Sequence, residues 1–331
     1  MESDRAQSMI LPIKRRRHSR LAYWLWLLPL WLVFVPIARF LEWRGVWPRK
    51  VFGKGMKNAF QWPTDVLPGA QDLVVSSYFK SGTNWMLQIA SQIAWRGKVE
   101  FGHIHDLVPW PELVPRMGAS VLYQDVAVAE CPSKLRVIKT HYAPGKGVPY
   151  TSAAKYICVV RDPKSVFESS YPFIRNSSLG PLMPSLASWL GMYLSEEALF
   201  GPWSDFTAAC WALRGNSNVL FLTYESMKQD LPGTVARVAQ FMGVTLTPEE
   251  AQAVIANCTF AAMKKIEHKF DPVGMGPPWA TPQGAMLRRG ESKSGKELLP
   301  GSHVQIDRWC AERLQFLHSD FPYSEHYGAR E

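Results

Sequence analysis

From residue 72 onward, short apolar runs alternate with stretches of helical period. Residues 73–78, 135–139, 156–160 and 219–222 read as buried strands, and residues 83–95 and 163–173 read as helices between them. This alternation predicts an α/β fold with a central parallel sheet and helices on both faces. Further helices are expected over 232–242, 248–257 and 303–318. The second of these opens on Thr247-Pro248-Glu249-Glu250, an N-cap residue followed by proline at the first helical position. No internal repeat or low-complexity tract is visible.

A different pattern precedes residue 72. Residues 1–20 form a basic tail, and residues 21–38 are an uncharged run of 18, just long enough for a membrane span. A cleaved signal peptide is the rival, but the run starts late, contains Pro29 and Pro36, and lacks a small-x-small site before Arg39. Residues 21–43 are therefore expected to be a hydrophobic membrane segment. Six cations flank each side, so the positive-inside rule gives no orientation, and a shallow or re-entrant anchor fits about as well as a span. Residues 44–70, rich in Gly and Pro, read as a linker onto a domain covering 71–325.

A net charge of +9 over 331 residues suits an anionic ligand, an anionic membrane or nucleic acid, and composition does not choose among them. Nearly half of the excess sits near the N-terminus. Five widely spaced cysteines form no CxxC pair, which indicates neither a disulfide framework nor a zinc site.

Three strand ends carry chemistry. SSYFKSGTNW runs from strand into helix, placing the backbone amides of Ser81, Gly82 and Thr83 at a helix N-terminus, where anions bind. Lys80 precedes the glycine instead of following it, unlike GxxxxGK[ST], and can reach a bridging phosphate oxygen as negative charge develops there. LRVIKTHY ends at His141, an imidazole able to take a proton from an acceptor, with Lys139 two residues earlier on the same face. YICVVRDPKSVFESSYPF is again strand, turn and helix, with Arg161 and Ser169 able to converge on one phosphate. Arg288, Arg289 and Gly290 of MLRRG could close over the same group. Two separated anion sites suit a nucleotide with phosphates on both its 5' and 3' sides.

Taken together, these residues resemble the sulfotransferase family that includes the cytosolic enzymes. SSYFKSGTNW is similar to its 5'-phosphosulfate loop, IKTHYAP to its catalytic-histidine stretch, VVRDPKSVFESSY to its 3'-phosphate motif, FLTYESMKQD to its nucleotide-contacting segment, and MLRRG to its closing motif. All five occur in family order from about residue 72 to 290. The resemblance implies a P-loop-like fold, 3'-phosphoadenosine 5'-phosphosulfate (PAPS) as co-substrate, no metal and an in-line transfer. By position it implies that Lys80, Ser81, Gly82, Thr83 and Asn84 lie at the 5' side, and that Trp85 and Phe260 sandwich the adenine. Tyr224 and Thr259 would contact the adenine edge, and Arg161, Ser169, Arg288, Arg289 and Gly290 would hold the 3'-phosphate. The chain departs from the family pattern in Asn84 for a hydroxyl residue, in Cys258 for a threonine, and after Gly290.

Residues 174–203 are rich in Pro, Gly, Leu, Met and Trp and read as a flexible apolar lid. With residues 101–123 they are expected to form a pocket for a small-molecule or lipid acceptor, fed from the bilayer. No nucleic-acid partner is expected, and the sequence leaves the oligomeric state open. The donor's location places the membrane-associated catalytic domain on the cytoplasmic side, or in the Golgi lumen as a type II protein. The rival readings are a P-loop kinase or nucleotide hydrolase, and an inactive nucleotide-binding membrane scaffold.

Overall fold

In a computed structural model, residues 29–64, 66–112, 126–271 and 298–328 are described. The chain enters through a wider helical turn, Leu30–Phe34, that continues as α1 (Val35–Trp43), and Lys54–Ala59 forms α2. β1 (Asp72–Ser77) leads into α3 (Thr83–Ala94), followed by the short α4 (Ile104–Leu107) and α5 (Val126–Glu130). β2 (Arg136–Thr140) precedes a small parallel pair, β3 (Ala143–Pro144) and β4 (Gly147–Val148). β5 (Lys155–Val160) is followed by α6 (Pro163–Ile174), α7 (Leu186–Tyr193) and α8 (Trp203–Ala212). Then come β6 (Val219–Thr223), α9 (Tyr224–Gln229), α10 (Leu231–Met242), α11 (Pro248–Cys258) and α12 (Phe260–Lys265). α13 (Ser302–Phe316) and α14 (Tyr323–Tyr327) close the described chain.

The main sheet is parallel throughout, in the order β2-β1-β5-β6. Strand periodicity divides its side chains between two cores. Leu73, Val75, Ile157, Val159, Leu220 and Leu222 face one core, which includes Met86 and Ile89 of α3 and Val238 of α10. Val74, Ile138, Tyr156, Cys158 and Val160 face the other, which includes Phe167, Trp203 and Ile306. Such runs, apolar on both faces, are what a sheet covered on both sides requires. At the amino ends of the strands, Arg136 grips Asp72 with two hydrogen bonds of 2.7 and 3.1 Å, while Asp72 also accepts from the Gly69 amide. That clamp sets the register of β1 against β2.

The helical expectations hold closely. α11 opens on a reciprocal capping box between Thr247 and Glu250, with Pro248 in its first turn. All five cysteines are buried free thiols.

Two expectations need correction. No helix among the described residues is long and apolar enough to cross a membrane. Of the segment expected at 21–43, residues 21–28 lie outside the described residues. The remainder is fastened to the catalytic domain: Arg39 donates to the Met183 carbonyl at 3.0 Å, and Glu42 accepts from the Ser185 amide at 2.8 Å. The stretch 174–203 is not a loose lid either. Trp189 donates to Ser170 Oγ at 3.0 Å, Tyr193 donates to the Pro163 carbonyl at 2.9 Å, and Tyr171 donates to the Pro184 carbonyl at 2.8 Å. Its aromatic and aliphatic side chains complete the larger core, and their buried area holds it down.

Candidate active site

All four strands of the main sheet deliver polar residues at one edge. β1 runs into Lys80–Thr83, β2 ends at Lys139 and Thr140 with His141 next, β5 is followed by Arg161, and β6 by Tyr224. Ser76 pairs with Thr140, Ser77 with Val159 and Val160 with Thr223, so these carboxyl ends lie level. The strand order reverses beside β1, and the crevice at such a switch point is where open α/β sheets bind ligands.

The loop after β1 is tightly specified. The Ser81 amide donates to the Tyr78 carbonyl at 2.9 Å, so of the three amides expected at the helix start only those of Gly82 and Thr83 point beyond the turn. Lys80 and Gly82 both adopt left-handed backbone conformations, φ 63° and 91°. A Cβ at Gly82 would lie 2.6 Å from the Tyr224 ring, so glycine is required both by φ and by contact. α3 receives no side-chain cap at this end. Beside it, Ser81 Oγ and Arg161 Nε are buried without a hydrogen-bond partner. Orphaned buried donors are rare, and both atoms fit anionic groups with several acceptor oxygens, such as phosphates. Arg161 is further held by its bond to the Lys80 carbonyl, 3.3 Å, and by the Tyr224 ring 4.5 Å from its guanidinium carbon. Thr83 donates to Ser77 Oγ at 3.0 Å, and the Lys80 ammonium stands 3.9 Å from the Phe173 ring centroid.

Trp85 lies edge-on to Tyr224 at 5.6 Å and donates to the Cys258 carbonyl at 2.7 Å, which brings it beside Thr259 and Phe260. Thr259 caps α12 by accepting from the Ala262 amide, and Phe260, the first residue of that helix, is 44% exposed. Asn84 and Ser169 are half-buried, in the first turn of α3 and the second turn of α6. Arg288, Arg289 and Gly290 lie outside the described residues.

His141 is 4% exposed. Its Nδ1 lies 2.8 Å from the Ser77 carbonyl, which can only accept, so Nδ1 carries the proton and Nε2 keeps its lone pair. Burial, and then the charges of Lys139 and Lys80, hold the imidazole well below its usual 6.5, against the opposing bond to Ser77. Aromatic rings wall it in: Phe200 at 4.6 Å, Trp110 at 5.2 Å and Phe79 at 5.8 Å. Lys139 shares the Trp110 wall, its ammonium 3.5 Å from the ring centroid. Burial pushes Lys139 down to about 7, partly offset by the charge of Glu112.

Glu112 itself is buried and raised to about 7 by desolvation, although Thr140 donates to one of its oxygens. The other oxygen has no partner. His105 stacks on Trp110 at 5.7 Å, and its Nδ1 is bonded to the Val108 carbonyl at 2.9 Å, a structural role at the site's rim. Trp110, Glu112 and Phe200 were not singled out from sequence. Trp110 and Phe200 reach the imidazole and Glu112 reaches Thr140 from loops remote from β2, and nothing local to them marks those meetings. Of the expected acceptor wall at 101–123, residues 113–123 lie outside the described residues.

These shifts set a pH dependence. A base must be neutral and an electrostatic partner charged, so the acid limb of kcat/KM is expected to fall below pH 6.5, the usual imidazole value, and the alkaline limb near pH 7, where unliganded Lys139 loses its proton. Initial rates at subsaturating acceptor from pH 5 to 9 check this. An acid limb centred at or above 6.5 would contradict it.

A sequence profile described as the sulfotransferase domain matches residues 70–317. Sulfotransferase 2A1 of Rattus norvegicus is 32% identical over 201 residues, covering 59% of this chain and 67% of that protein. Sulfotransferase 2A1 of Homo sapiens is 29% identical over 252 residues, covering 75% and 85%. Among solved structures, retinol dehydratase in a complex with retinol and PAP superposes with a TM-score of 0.61 at 21% identity, covering 82% of this chain and 87% of that one. Mouse sulfotransferase SULT7A1 complexed with PAP gives 0.54 at 21% identity, covering 79% and 87%. At these identities the two structures speak to the fold, which they share with this chain.

Proposed function

This chain belongs to the sulfotransferase family and is a PAPS-dependent sulfotransferase, and from that premise we propose that its acceptor is a hydroxyl or amine on a hydrophobic, lipid-like molecule. The observation that carries the acceptor reading is the aromatic enclosure of His141 by Phe79, Trp110 and Phe200. A ring of apolar faces around one basic nitrogen favours a flat or aliphatic acceptor with a single polar tip.

In this proposal the acceptor oxygen forms a bond to sulfur as the bond from sulfur to the phosphate oxygen breaks. The acceptor proton passes to Nε2 of His141, and adenosine 3',5'-bisphosphate leaves. Lys80 balances the charge growing on the departing phosphate, and Lys139 faces the sulfuryl oxygens. Ser81, the amides of Gly82 and Thr83, and Asn84 in the same turn hold the 5' side. Arg161 and Ser169, with Arg288, Arg289 and Gly290, hold the 3'-phosphate. Trp85 and Phe260 flank the adenine, with Tyr224 and Thr259 at its edge. The buried orphan atoms of Ser81 and Arg161 support this assignment, because each needs an acceptor that the protein does not provide.

Retinol dehydratase has also been solved in complex with androsterone and inactive cofactor PAP, which gives a precedent for hydrophobic ligands on this fold. An acceptor screen with isotopically labelled PAPS tests the reading. Turnover is expected with sterol-like, polyene and long-chain alcohols. Exclusive turnover of soluble, highly charged glycans would overturn the acceptor assignment.

A further inference from the structure

The helix spanning residues 29–43 has two unlike sides. One is buried on the catalytic domain through Leu30 and Ala38, 3% and 7% exposed, and through the bonds from Arg39 and Glu42. Downstream, Trp47 donates to the Leu182 carbonyl at 3.1 Å, and Arg49 donates to the Gly191 carbonyl at 2.6 Å. Away from that contact, Trp31, Leu32, Val33, Phe34, Ile37, Phe40 and Trp43 are exposed, Trp43 at 77%. Singly exposed apolar residues are ordinary, but seven large ones within the 13 residues 31–43 mark an interaction surface.

Charge identifies its partner. Residues 1–60 hold 12 Lys and Arg against three acids, a net +9 equal to that of the whole chain, so the remaining 271 residues are balanced at 25 of each sign. The entire excess is therefore gathered on the segment carrying the apolar row. Arg44, Lys50 and Lys54 are exposed just beyond the row, and its one acid, Glu42, is tied to Ser185. A second copy would bring the same +9 against it. An anionic bilayer complements both the charge and the apolar face.

We propose that the exposed face of helix 29–43 docks in the plane of an anionic membrane surface, without crossing it. No helix among the described residues is long and apolar enough to cross a membrane. The inner side of helix 29–43 is already held by the catalytic domain, which fixes it parallel to the domain surface. Trp31 and Trp43 stand at its two ends, the position amphipathic rings prefer at a headgroup boundary. The domain would then rest on the membrane by the wall that contains Leu182, Met183 and Gly191. This docking does not depend on the acceptor reading.

Flotation of the full chain with phosphatidylcholine vesicles, with and without phosphatidylglycerol, tests it. Binding is expected only with the anionic lipid, weakened about tenfold by high salt, and released by alkaline carbonate. The triple variant Ile37→Glu, Phe40→Glu, Trp43→Glu is expected to lose about tenfold in vesicle binding while keeping its melting temperature and its turnover of a water-soluble phenol. Arg44→Glu with Lys50→Glu is expected to weaken the anionic preference on an unaltered apolar face. Three results would overturn the proposal: undiminished binding by the triple variant, retention after carbonate as for a crossing segment, or a stable dimer by light scattering with no vesicle binding.

Discussion

Replacing His141 by alanine is expected to lower kcat by about 10²–10⁴-fold, the usual contribution of a positioned general base. The affinity for adenosine 3',5'-bisphosphate, measured by calorimetry, is expected to stay unchanged. The two readouts separate because of where the imidazole sits. Its Nδ1 is committed to the Ser77 carbonyl, its faces to Phe200, Phe79 and Trp110, and no hydrogen bond joins it to Arg161 or Ser81. Removing it leaves the proposed nucleotide grip in place and deletes the acceptor of the proton. Unchanged transfer would remove His141 from the mechanism, and binding without any transfer in the wild type would favour a scaffold.

Lys80→Ala is expected to reduce kcat by about 10²–10³-fold, comparable to losing one preorganised donor aimed at developing charge. Single-turnover rates with bound donor isolate the step. The backbone of this residue is left-handed, and its carbonyl anchors Arg161. An alanine there keeps that carbonyl and removes the side chain beyond Cβ, with its ammonium and its contact with Phe173. Donor affinity is expected to fall less than the rate, because the charge matters most as the phosphate departs. An equal loss in ground-state binding and rate would recast Lys80 as a simple anchor.

The sheet was legible in the sequence because a strand buried on both faces reads as an unbroken apolar run, and those runs near residues 73, 135, 156 and 219 stand out from polar surroundings. The turn after β1 was legible because strand, glycine and helix follow each other within a few residues. The ranges 101–123 and 174–203 were expected to line a pocket, but the individual wall residues within them were not singled out. Phe200 lies 59 positions after His141, and Glu112 lies 29 before it. Contact between them depends on how two loops fold over a strand end, which no local period records. The N-terminal segment was legible only in part, for a different reason. Hydropathy counts apolar residues without regard to direction, so a helix lying on a surface scores much like one that crosses. Arg39 and Glu42, one turn apart near its end, were the polar signal that the helix is pinned to protein.

The Tyr224 ring touches the space that a Gly82 side chain would occupy, lies under the Arg161 guanidinium and meets the edge of Trp85. One phenol from the fourth strand thus gauges the spacing of three neighbours that originate on two others. Any change that shifts it displaces the Gly82 turn and the guanidinium together, so under the proposed assignment the grips on the two ends of the donor move as one.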